Sequence, residues 1–275
     1  MMNSSELSSP KRPFPYKKIK ELGEGQFATV HLMTTLENPE KRFAVKIQKI
    51  RNRQKEIQRE HNIHETLVNN HENIIKVLDS KRGPDCHYLI MEYAEIGDLF
   101  AVIDDLCESK TQYYFRQLVQ GVKYIHGQGV VHRDIKPENL LISKDGILKI
   151  CDFGVARIFR RDNEQRKISG KCGSPGYIPP EIHLLEEYEA QPVDIWAVGV
   201  VLLNMLTNVQ LWEKATCDDP TYQEWTTGAL MNEEPFSSIS DSAYDLLLEL
   251  LNKKPEKRAT IEKIESSNWY NMDFK

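Results

Sequence analysis

The periodicity of the apolar residues changes near Gly97, and this change restricts the possible folds more than any other feature of the sequence. Before it, short runs of β-branched and aromatic residues, separated by turn residues, predict strands. These strands are expected at residues 18–22, 29–32, 42–47, 74–78 and 88–92. After it, apolar residues recur at the spacing of helices. The chain is therefore predicted to be α+β, with a small β-rich part before a larger helical part.

One helix is predicted inside the β-rich part, over residues 54–67. Its apolar and long side chains share one face, and they are Ile57, Glu60, Ile63, His64 and Leu67. In the second part, helices are predicted over residues 113–126, 195–206 and 243–251. The stretch 195–206 is the most apolar of the chain, but it is shorter than the about 20 residues that span a bilayer. We therefore interpret it as a buried core helix.

Composition excludes several classes of protein. The net charge of −5 argues against a general nucleic-acid-binding surface. The five cysteines are widely spaced and include no Cys-x-x-Cys pair, which favours a reducing compartment over a disulfide scaffold or a zinc site. Residues 1–15 are rich in Ser, Pro and Lys without periodicity, and they do not resemble a signal peptide. They are expected to be a flexible leader.

Two motifs carry the chemistry. Residues 132–139 read HRDIKPEN, and residues 152–154, eighteen positions after Asp134, read DFG. Together they resemble the catalytic loop and the magnesium-binding motif of protein kinases. The resemblance implies the two-lobed kinase fold, with lobes at about 16–92 and 98–275 and a hinge at about 92–97.

The residue types in these motifs suit phosphoryl transfer. The acceptor hydroxyl is a poor nucleophile, and Asp134 can orient it and take its proton. Mg²⁺ prefers oxygen ligands, which Asp152 and Asn139 supply. Lys136 can neutralise charge on the moving phosphoryl group. The cofactors implied are ATP and Mg²⁺.

Three further elements fit the resemblance. Residues 23–30 read GEGQFATV, so Gly23 and Gly25 would let backbone N–H groups approach the phosphates, with Ala28 at the position of the third glycine. Lys46 matches the lysine that contacts the α- and β-phosphates. Its partner is expected to be Glu60, with Glu56 as the alternative. His64, one turn later, is expected to point at Phe153, either as a satisfied semi-buried residue or as a pH switch.

The adenine base is expected to bind between the lobes. By resemblance, its apolar walls are Leu22, Val30, Ala44 and Leu141. Met91 precedes the hinge, and the backbone of Glu92 and Ala94 would bond to the base.

Other segments are typical of protein kinases rather than of nucleotide kinases. Residues 173–181, GSPGYIPPE, resemble the end of the activation segment, with Pro179 in the usual place of Ala. Residues 194–199, DIWAVG, resemble the helix that anchors the catalytic loop. Arg258 is placed to pair with Glu181. Lys136 and the substrate-binding Ser174 indicate a serine/threonine kinase.

Within the family, the likeness extends from Tyr16 to the C-terminus. Further segments resemble the checkpoint effector kinases of the calmodulin-dependent group, which restrain the cell cycle after DNA damage. These segments are HEN at 71–73, YLIMEY at 88–93, AQPVD at 190–194, YQEW at 222–225 and NWYN at 268–271.

The resemblance also implies partners. Protein substrates with an arginine three residues before the acceptor are expected, received by Glu138 and Asp98. Asp98 could instead cap a helix or bond the ribose. We expect a monomer in the nucleus, the cytoplasm or both, without direct nucleic-acid or membrane binding.

The sequence argues against two other functions. A pseudokinase that only binds partners would need a broken Lys46, Asp134, Asn139 or Asp152, and all four are intact. A small-molecule phosphotransferase should lack the segments 173–181 and 194–199, which are present.

The activation segment lacks the usual phosphorylation site. The position four before Ser174 is Gly170, which has no hydroxyl group. Ser169 is one place out of register, while Arg133, the usual docking cation, is present. We therefore expect activity without phosphorylation of this segment, with a shift of Ser169 as the alternative.

Overall fold

The computed structural model describes residues 16–25, 28–51, 53–67, 71–162 and 164–274, without the side chain of Asp105. The predicted leader, residues 1–15, lies outside the described residues, as do residues 26 and 27 of the glycine-containing turn.

The chain divides into two compact units. One comprises the described residues of Met1–Asn52 and Val77–Tyr93, and the other those of Arg53–Lys76 and Ala94–Lys275. The predicted helix 54–67 is thus grouped with the second unit. The bounds that the sequence suggested for two lobes and a hinge stay predictions.

The first unit is a five-stranded antiparallel sheet with strand order β1-β2-β3-β5-β4. Its strands are β1 (Tyr16–Glu24), β2 (Ala28–Thr35), β3 (Arg42–Lys49), β4 (Val77–Arg82) and β5 (Cys86–Glu92). Alternate side chains of the middle strands form a small core of Met33, Phe43, Val45 and Ile90. Four of the five predicted strands are therefore confirmed, each with longer bounds than the sequence suggested.

The strand predicted at residues 74–78 is confirmed only for its last two residues. Strand β4 begins only at Val77, and Ile74 forms an isolated parallel bridge with Ile150. Ile74 and Ile75 are buried, and the N–H of Ile75 donates to the Ile150 carbonyl, so both belong to the second unit. A short apolar run does not by itself distinguish a strand from other buried segments. The true strand lies at the sheet edge and is polar, as edge strands often are.

The second unit contains the helices. They are α1 (Gln54–Leu67), α2 (Glu108–Gly127), α3 (Pro180–Leu184), α4 (Gln191–Thr207), α5 (Pro220–Thr227), α6 (Asp241–Leu250), α7 (Ile261–Glu265) and α8 (Asn268–Asn271). Short 3₁₀ helices lie at Leu99–Asp105, Pro137–Asn139, Pro175–Tyr177, Ala229–Asn232, Phe236–Ser238 and Pro255–Lys257. Helix α1 has the predicted bounds, and its five predicted core-face residues are buried. The helices predicted over 113–126 and 195–206 are confirmed within α2 and α4, and the one predicted over 243–251 is confirmed in α6 except for its last residue.

Short strands organise the loops of the second unit. They are β6 (Gly97–Asp98), β7 (Val130–Val131), β8 (Leu140–Ile142), β9 (Leu148–Ile150), β10 (Arg157–Ile158), β11 (Arg160–Arg161), β12 (Glu164–Gln165), β13 (Ile168–Ser169) and β14 (Glu187–Tyr188). They form the sheets β6-β8-β9, β7-β10, β11-β12 and β13-β14.

Helix α4 is the buried centre of the second unit. It is apolar on almost every side and packs against α2 and α6. A Cβ on Gly199 would lie 2.8 Å from the Cβ of Leu250, so only glycine permits this approach to α6. Among the described residues, no helix is long and apolar enough to cross a membrane. The prediction of a core helix is confirmed.

Candidate active site

The Asp194 carboxylate, on α4, anchors the loop of residues 132–139 through hydrogen bonds to its backbone. Asp194 accepts hydrogen bonds from the backbone N–H of His132 at 2.9 Å and of Arg133 at 2.8 Å. The His126 ring, at the end of α2, contacts the same carboxylate at 2.9 Å. Full burial would raise the pKa of Asp194, but the His126 hydrogen bond, the nearby rings of His126 and His132 and the Arg133 N–H hold it below its ordinary value. The backbone of the loop is therefore anchored to a buried carboxylate that favours its ionised form.

The Asp134 carboxylate is oriented from three sides. Ser174 donates to Oδ1 through its backbone N–H at 2.8 Å and its hydroxyl at 2.9 Å. The Asn139 side-chain amide donates to Oδ2 at 3.0 Å and to the Asp134 carbonyl at 2.8 Å. The Lys136 ammonium lies 3.6 Å from Oδ2 and donates to the Ser174 hydroxyl at 2.7 Å. A carboxylate held in this way can orient a hydroxyl group and accept its proton.

The close approach of Ser174 depends on the residue before it. Gly173 has φ 102°, and a Cβ there would lie only 2.5 Å from the Arg133 carbonyl oxygen. Any other residue would therefore clash with the loop. The structure thus brings Ser174 together with Asp134 and Lys136. The substrate-binding role of Ser174 stays a prediction.

Asn139 and Asp152 lie on adjoining segments. The N–H of Cys151, next to Asp152, donates to the Asn139 carbonyl at 2.9 Å. Both hydrogen bonds that the Asn139 side-chain NH₂ donates are to Asp134. The side-chain oxygen of Asn139 therefore remains as the atom that could bind a metal ion. Asp152 has φ 62°, and its Oδ1 accepts from the Gly154 N–H at 3.1 Å. The left-handed conformation of a non-glycine residue is typical of functional sites.

These two oxygen donors fit Mg²⁺. Within the described part of the chain, no group of three or more His, Cys, Asp or Glu side chains could hold a metal ion. Mg²⁺ does not require one, because it is commonly bound by one or two protein oxygens together with phosphates and water. All five cysteines are free thiols, so they are not disulfide-bonded.

Phe153 lies between two histidine rings. Its ring centroid is 5.0 Å from that of His64 on α1 and 4.9 Å from that of His132, both in edge-on geometry. Phe153 is fully buried. The predicted contact of His64 with Phe153 is confirmed, and it ties helix α1 to the DFG segment within the second unit.

A family model of the protein kinase domain matches residues 16–270, which is most of the chain. The chain belongs to the protein kinase family. It is a serine/threonine kinase domain, and its two units are the β-rich and the helical part of the two-lobed kinase fold.

The kinase domain is similar to several curated serine/threonine-protein kinases. It is 37% identical to chk-1 of Caenorhabditis elegans, with 94% of this chain and 53% of that protein covered. It is 31% identical to chk1 of Schizosaccharomyces pombe, covering 93% and 53%. It is 32% identical to grp of Drosophila melanogaster, covering 92% and 50%. The chain spans about half the length of these relatives.

In the first unit, four predicted nucleotide-binding residues, Val30, Ala44, Lys46 and Met91, share one sheet face. Val30 is paired with Lys46, and Ala44 with Met91, and residues at even spacing on neighbouring strands point the same way. Gly23 is paired with Val30 at the end of the same strands. The remaining members are Leu22, which is exposed, Gly25, beside the undescribed turn, and Glu92 at the end of β5.

In the second unit, Glu60 is buried on α1, and its carboxylate lies beside the DFG segment. A Cβ placed on Gly154 would be 3.6 Å from Glu60 Oε2. The pairing of Lys46 with Glu60 rather than Glu56 stays a prediction. Ala94 is buried, and Leu141 is half-buried and paired with Asp98. Their roles toward adenine also stay predictions.

Asp98 has a structural role that the sequence left open. It is the N-cap of the 3₁₀ helix Leu99–Asp105, and its Oδ1 accepts from the Ala101 N–H at 2.9 Å.

The predicted Glu181–Arg258 ion pair is present and bidentate. The two N···O distances are 2.7 and 3.0 Å, and both side chains are buried. Arg258 also donates to the carbonyls of Pro192 and Asn252 and lies 5.1 Å from the Trp196 ring centroid. This pair therefore joins the activation segment to the base of α4.

Three residues near the site were not predicted from the sequence. His126 contacts Asp194, Tyr188 contacts Arg133, and Asn204 lines a cavity beside Ser174. The sequence does mark Asn204, because it is a polar residue inside an apolar helix. No feature of hydrophobic periodicity marks Tyr188 or His126.

Proposed function

We propose that this kinase domain phosphorylates serine or threonine in proteins of a DNA-damage or replication checkpoint of the cell cycle. The observation that carries the chemistry is the Asp134 carboxylate, held by Ser174, Asn139 and Lys136. The checkpoint assignment is supported by the subfamily segments of the sequence and by the similarity to the chk-1 and chk1 kinases.

The residues divide the reaction between them. Asp134 accepts the proton of the substrate hydroxyl as that oxygen attacks the γ-phosphorus of ATP. The bond between the γ-phosphorus and the β–γ bridging oxygen breaks, and ADP leaves. Lys136 stabilises the charge of the moving phosphoryl group. Asp152 and the Asn139 side-chain oxygen would hold Mg²⁺, whose charge neutralises the phosphates.

Incubating the purified domain with ATP, Mg²⁺ and a degenerate peptide library tests this function. Phosphate is expected on serine and threonine peptides but not on tyrosine peptides. ATP binding without transfer to any peptide would support the pseudokinase alternative instead.

For substrate preference, we propose an arginine three residues before the acceptor. Glu138 lies within the catalytic loop, between Lys136 and Asn139, is exposed, and can form a bidentate pair with a guanidinium group. Asp98, the second predicted partner, retains one carboxylate oxygen, because the other caps the helix. In the peptide library, a proline-directed or acidic preference would contradict this proposal.

We also propose that the domain is active without phosphorylation of its activation segment. The guanidinium of Arg133 already donates to the carbonyls of Val155 and Ser169 at 2.6–3.1 Å. Its hydrogen bonds are therefore satisfied by neutral acceptors where other kinases use a phosphate.

The test is phosphatase treatment, a mass measurement to show that no phosphate remains, and an activity assay beside Ser169→Ala. Full activity of both samples is expected. Loss of activity in both would show that a phosphate on Ser169 is needed.

We propose that the protein acts as a monomer, in the nucleus, the cytoplasm or both, on protein substrates rather than on nucleic acids or membranes. The net charge of −5 supports the last point. Sedimentation of the purified domain and localisation of the tagged full protein would test these points.

A further inference from the structure

A buried tyrosine from the far side of helix α3 lies against the activation segment. Tyr188 belongs to β14, which pairs antiparallel with β13 of that segment, and the register sets Tyr188 opposite Ile168 and Glu187 opposite Ser169. Tyr188 is only 2% exposed. The pairing therefore places its side chain in the interior beside residues 168–170, which lie just before Ser174.

The Tyr188 hydroxyl makes two hydrogen bonds of opposite direction. It donates to the Gly170 carbonyl at 2.7 Å, and it accepts from Arg133 Nη1 at 3.3 Å. The direct distance from Arg133 Nη1 to the Gly170 carbonyl oxygen is 3.5 Å, which is longer than an ordinary hydrogen bond. The hydroxyl therefore bridges two groups that bond only weakly to each other.

Only a group that both donates and accepts can form this bridge. The guanidinium of Arg133 can only donate, and the carbonyl of Gly170 can only accept, whereas a hydroxyl does both. Burial raises the pKa of the Tyr188 hydroxyl above its ordinary value, although the Arg133 hydrogen bond acts in the opposite direction. The hydroxyl therefore keeps the proton that it donates to Gly170.

Arg133 depends on such neutral acceptors. It is 5% exposed, so its N–H groups need partners inside the protein. The acceptors are the Tyr188 hydroxyl and the carbonyls of Val155, Ser169 and Gly170, none of which carries a charge. Removal of one acceptor would leave a buried cation partly unsatisfied, which is costly.

The bridge lies at the position where a phosphorylatable side chain is missing. Gly170 precedes Ser174 by four residues, and Ser174 donates two hydrogen bonds to the Asp134 carboxylate. Ser169 and Gly170 are exposed, so the segment meets Arg133 through backbone carbonyls rather than through side chains. A contact that fixes Gly170 therefore also restricts the chain that carries Ser174 to the catalytic carboxylate.

We propose that Tyr188 is a positioning residue for phosphoryl transfer, whose hydroxyl joins Arg133 to Gly170 and orders the activation segment in place of a phosphate. This rests on the proposed activity without phosphorylation of the segment. The Tyr188 ring packs with Val131, Phe159, Ile168, Ile182, Ala190 and Val193. Tyr188→Phe keeps this packing and removes only the hydroxyl.

The first test is the kinetics of Tyr188→Phe after phosphatase treatment, with a mass measurement to show that no phosphate remains. We expect kcat to fall about tenfold because Ser174 orients Asp134 less well, while KM for ATP changes by less than about twofold. The control is Tyr270→Phe, which removes the hydroxyl of another buried tyrosine, one that accepts from Gln120. Its kcat should equal that of wild type.

A double-mutant cycle distinguishes positioning through Arg133 from a general loss of stability. Two residues that act through one contact have non-additive effects. Adding Tyr188→Phe to Arg133→Gln should therefore change kcat by less than about twofold, against about tenfold in the wild-type background. A second tenfold loss in the double variant would show that Tyr188 does not act through Arg133.

Hydrogen exchange gives a readout that needs no catalysis. The amides of residues 168–173 should exchange faster in Tyr188→Phe than in wild type, and at the wild-type rate in Tyr270→Phe. If phosphatase-treated wild type is inactive, the proposed independence of phosphorylation fails, and the exchange rates still decide the role of Tyr188. Either unchanged exchange or wild-type kcat in Tyr188→Phe would overturn the inference, whatever its melting temperature.

Discussion

Two carboxylates of the catalytic region differ in burial and in the kind of partner they have. The Asp194 side chain, which supports the catalytic loop, is 0% exposed, and its partners are two backbone N–H groups and a buried histidine. The Asp134 side chain, within the loop, is 19% exposed, and most of its partners belong to side chains, those of Ser174, Asn139 and Lys136. The partners of Asp194 are thus fixed in the interior, whereas those of Asp134 lie at the partly exposed catalytic site.

This difference distinguishes the structural role of Asp194 from the catalytic role of Asp134. A buried charge with fixed partners contributes to the folded state and is costly to disturb. A partly exposed charge held mainly by side chains contributes little to stability but can exchange a proton with a substrate. Substitutions in the two regions should therefore affect different measurements.

The largest effect is expected from Asp134→Asn, which removes the base. Phosphoryl transfer should fall by about a hundredfold or more. ATP binding and the free energy of unfolding should stay near the wild-type values, because the amide oxygen can still accept from Ser174. Steady-state kinetics, ATP titration and urea denaturation measure the three quantities.

Asp152→Asn is the comparison, since it should also weaken Mg²⁺-dependent ATP binding by removing a charge from the metal. Retention of more than about a tenth of turnover by Asp134→Asn would show that its role is misassigned.

Arg258→Leu should show the opposite pattern in the supporting region. It leaves the buried Glu181 carboxylate without its partner, which should lower the free energy of unfolding by about 3–5 kcal/mol. The double variant Glu181→Leu with Arg258→Leu should regain part of this loss. Lys263→Ala, which breaks an exposed pair with Glu249, should have little effect in the same urea experiment. An equal loss of unfolding free energy in Arg258→Leu and Lys263→Ala would show that the buried ion pair contributes no more to stability than the exposed one.

Asp194→Asn should affect both measurements. The amide keeps one acceptor oxygen but presents an NH₂ group to the N–H donors of the loop, so a loss of about 1–3 kcal/mol of stability is expected. Because the loop loses its support, kcat should fall as well. Normal stability with a reduced kcat in this variant would indicate that Asp194 has a catalytic rather than a structural role.

The smallest effect concerns pH. The pKa of Asp194 is lower in the folded protein than its ordinary value, so its contribution to stability is complete above that ordinary value, near 3.8. That contribution is lost as pH falls through the folded pKa. Urea denaturation between neutral and acidic pH should show a shallower decline of stability for Asp194→Asn than for wild type. Parallel curves would contradict this assignment.

The sequence predicted the chemistry of the site because phosphoryl transfer requires particular residue types at particular spacings. Helix α1 was predicted to the residue because one face carries all its buried side chains. The edge strand β4 was misplaced, since the apolar residues before it are buried in the second unit and the strand itself is polar.

The contacts of Tyr188 and Asn204 could not be predicted. Tyr188 meets Arg133 from 55 positions away through a hydroxyl group that leaves no mark on hydrophobic periodicity. That the side-chain oxygen of Asn204 has no hydrogen-bond donor among the described residues is likewise a property of three-dimensional packing.

Because the N–H groups of His132 and Arg133 bond to Asp194, their hydrogen exchange should report on unfolding of the whole second unit. Their hydrogens are buried on a carboxylate of the central helix α4, although the residues belong to no helix or strand. Solvent can reach them only when the loop separates from that helix. Their isotope exchange should therefore be as slow as that of the core, and it should follow global unfolding rather than local loop motion.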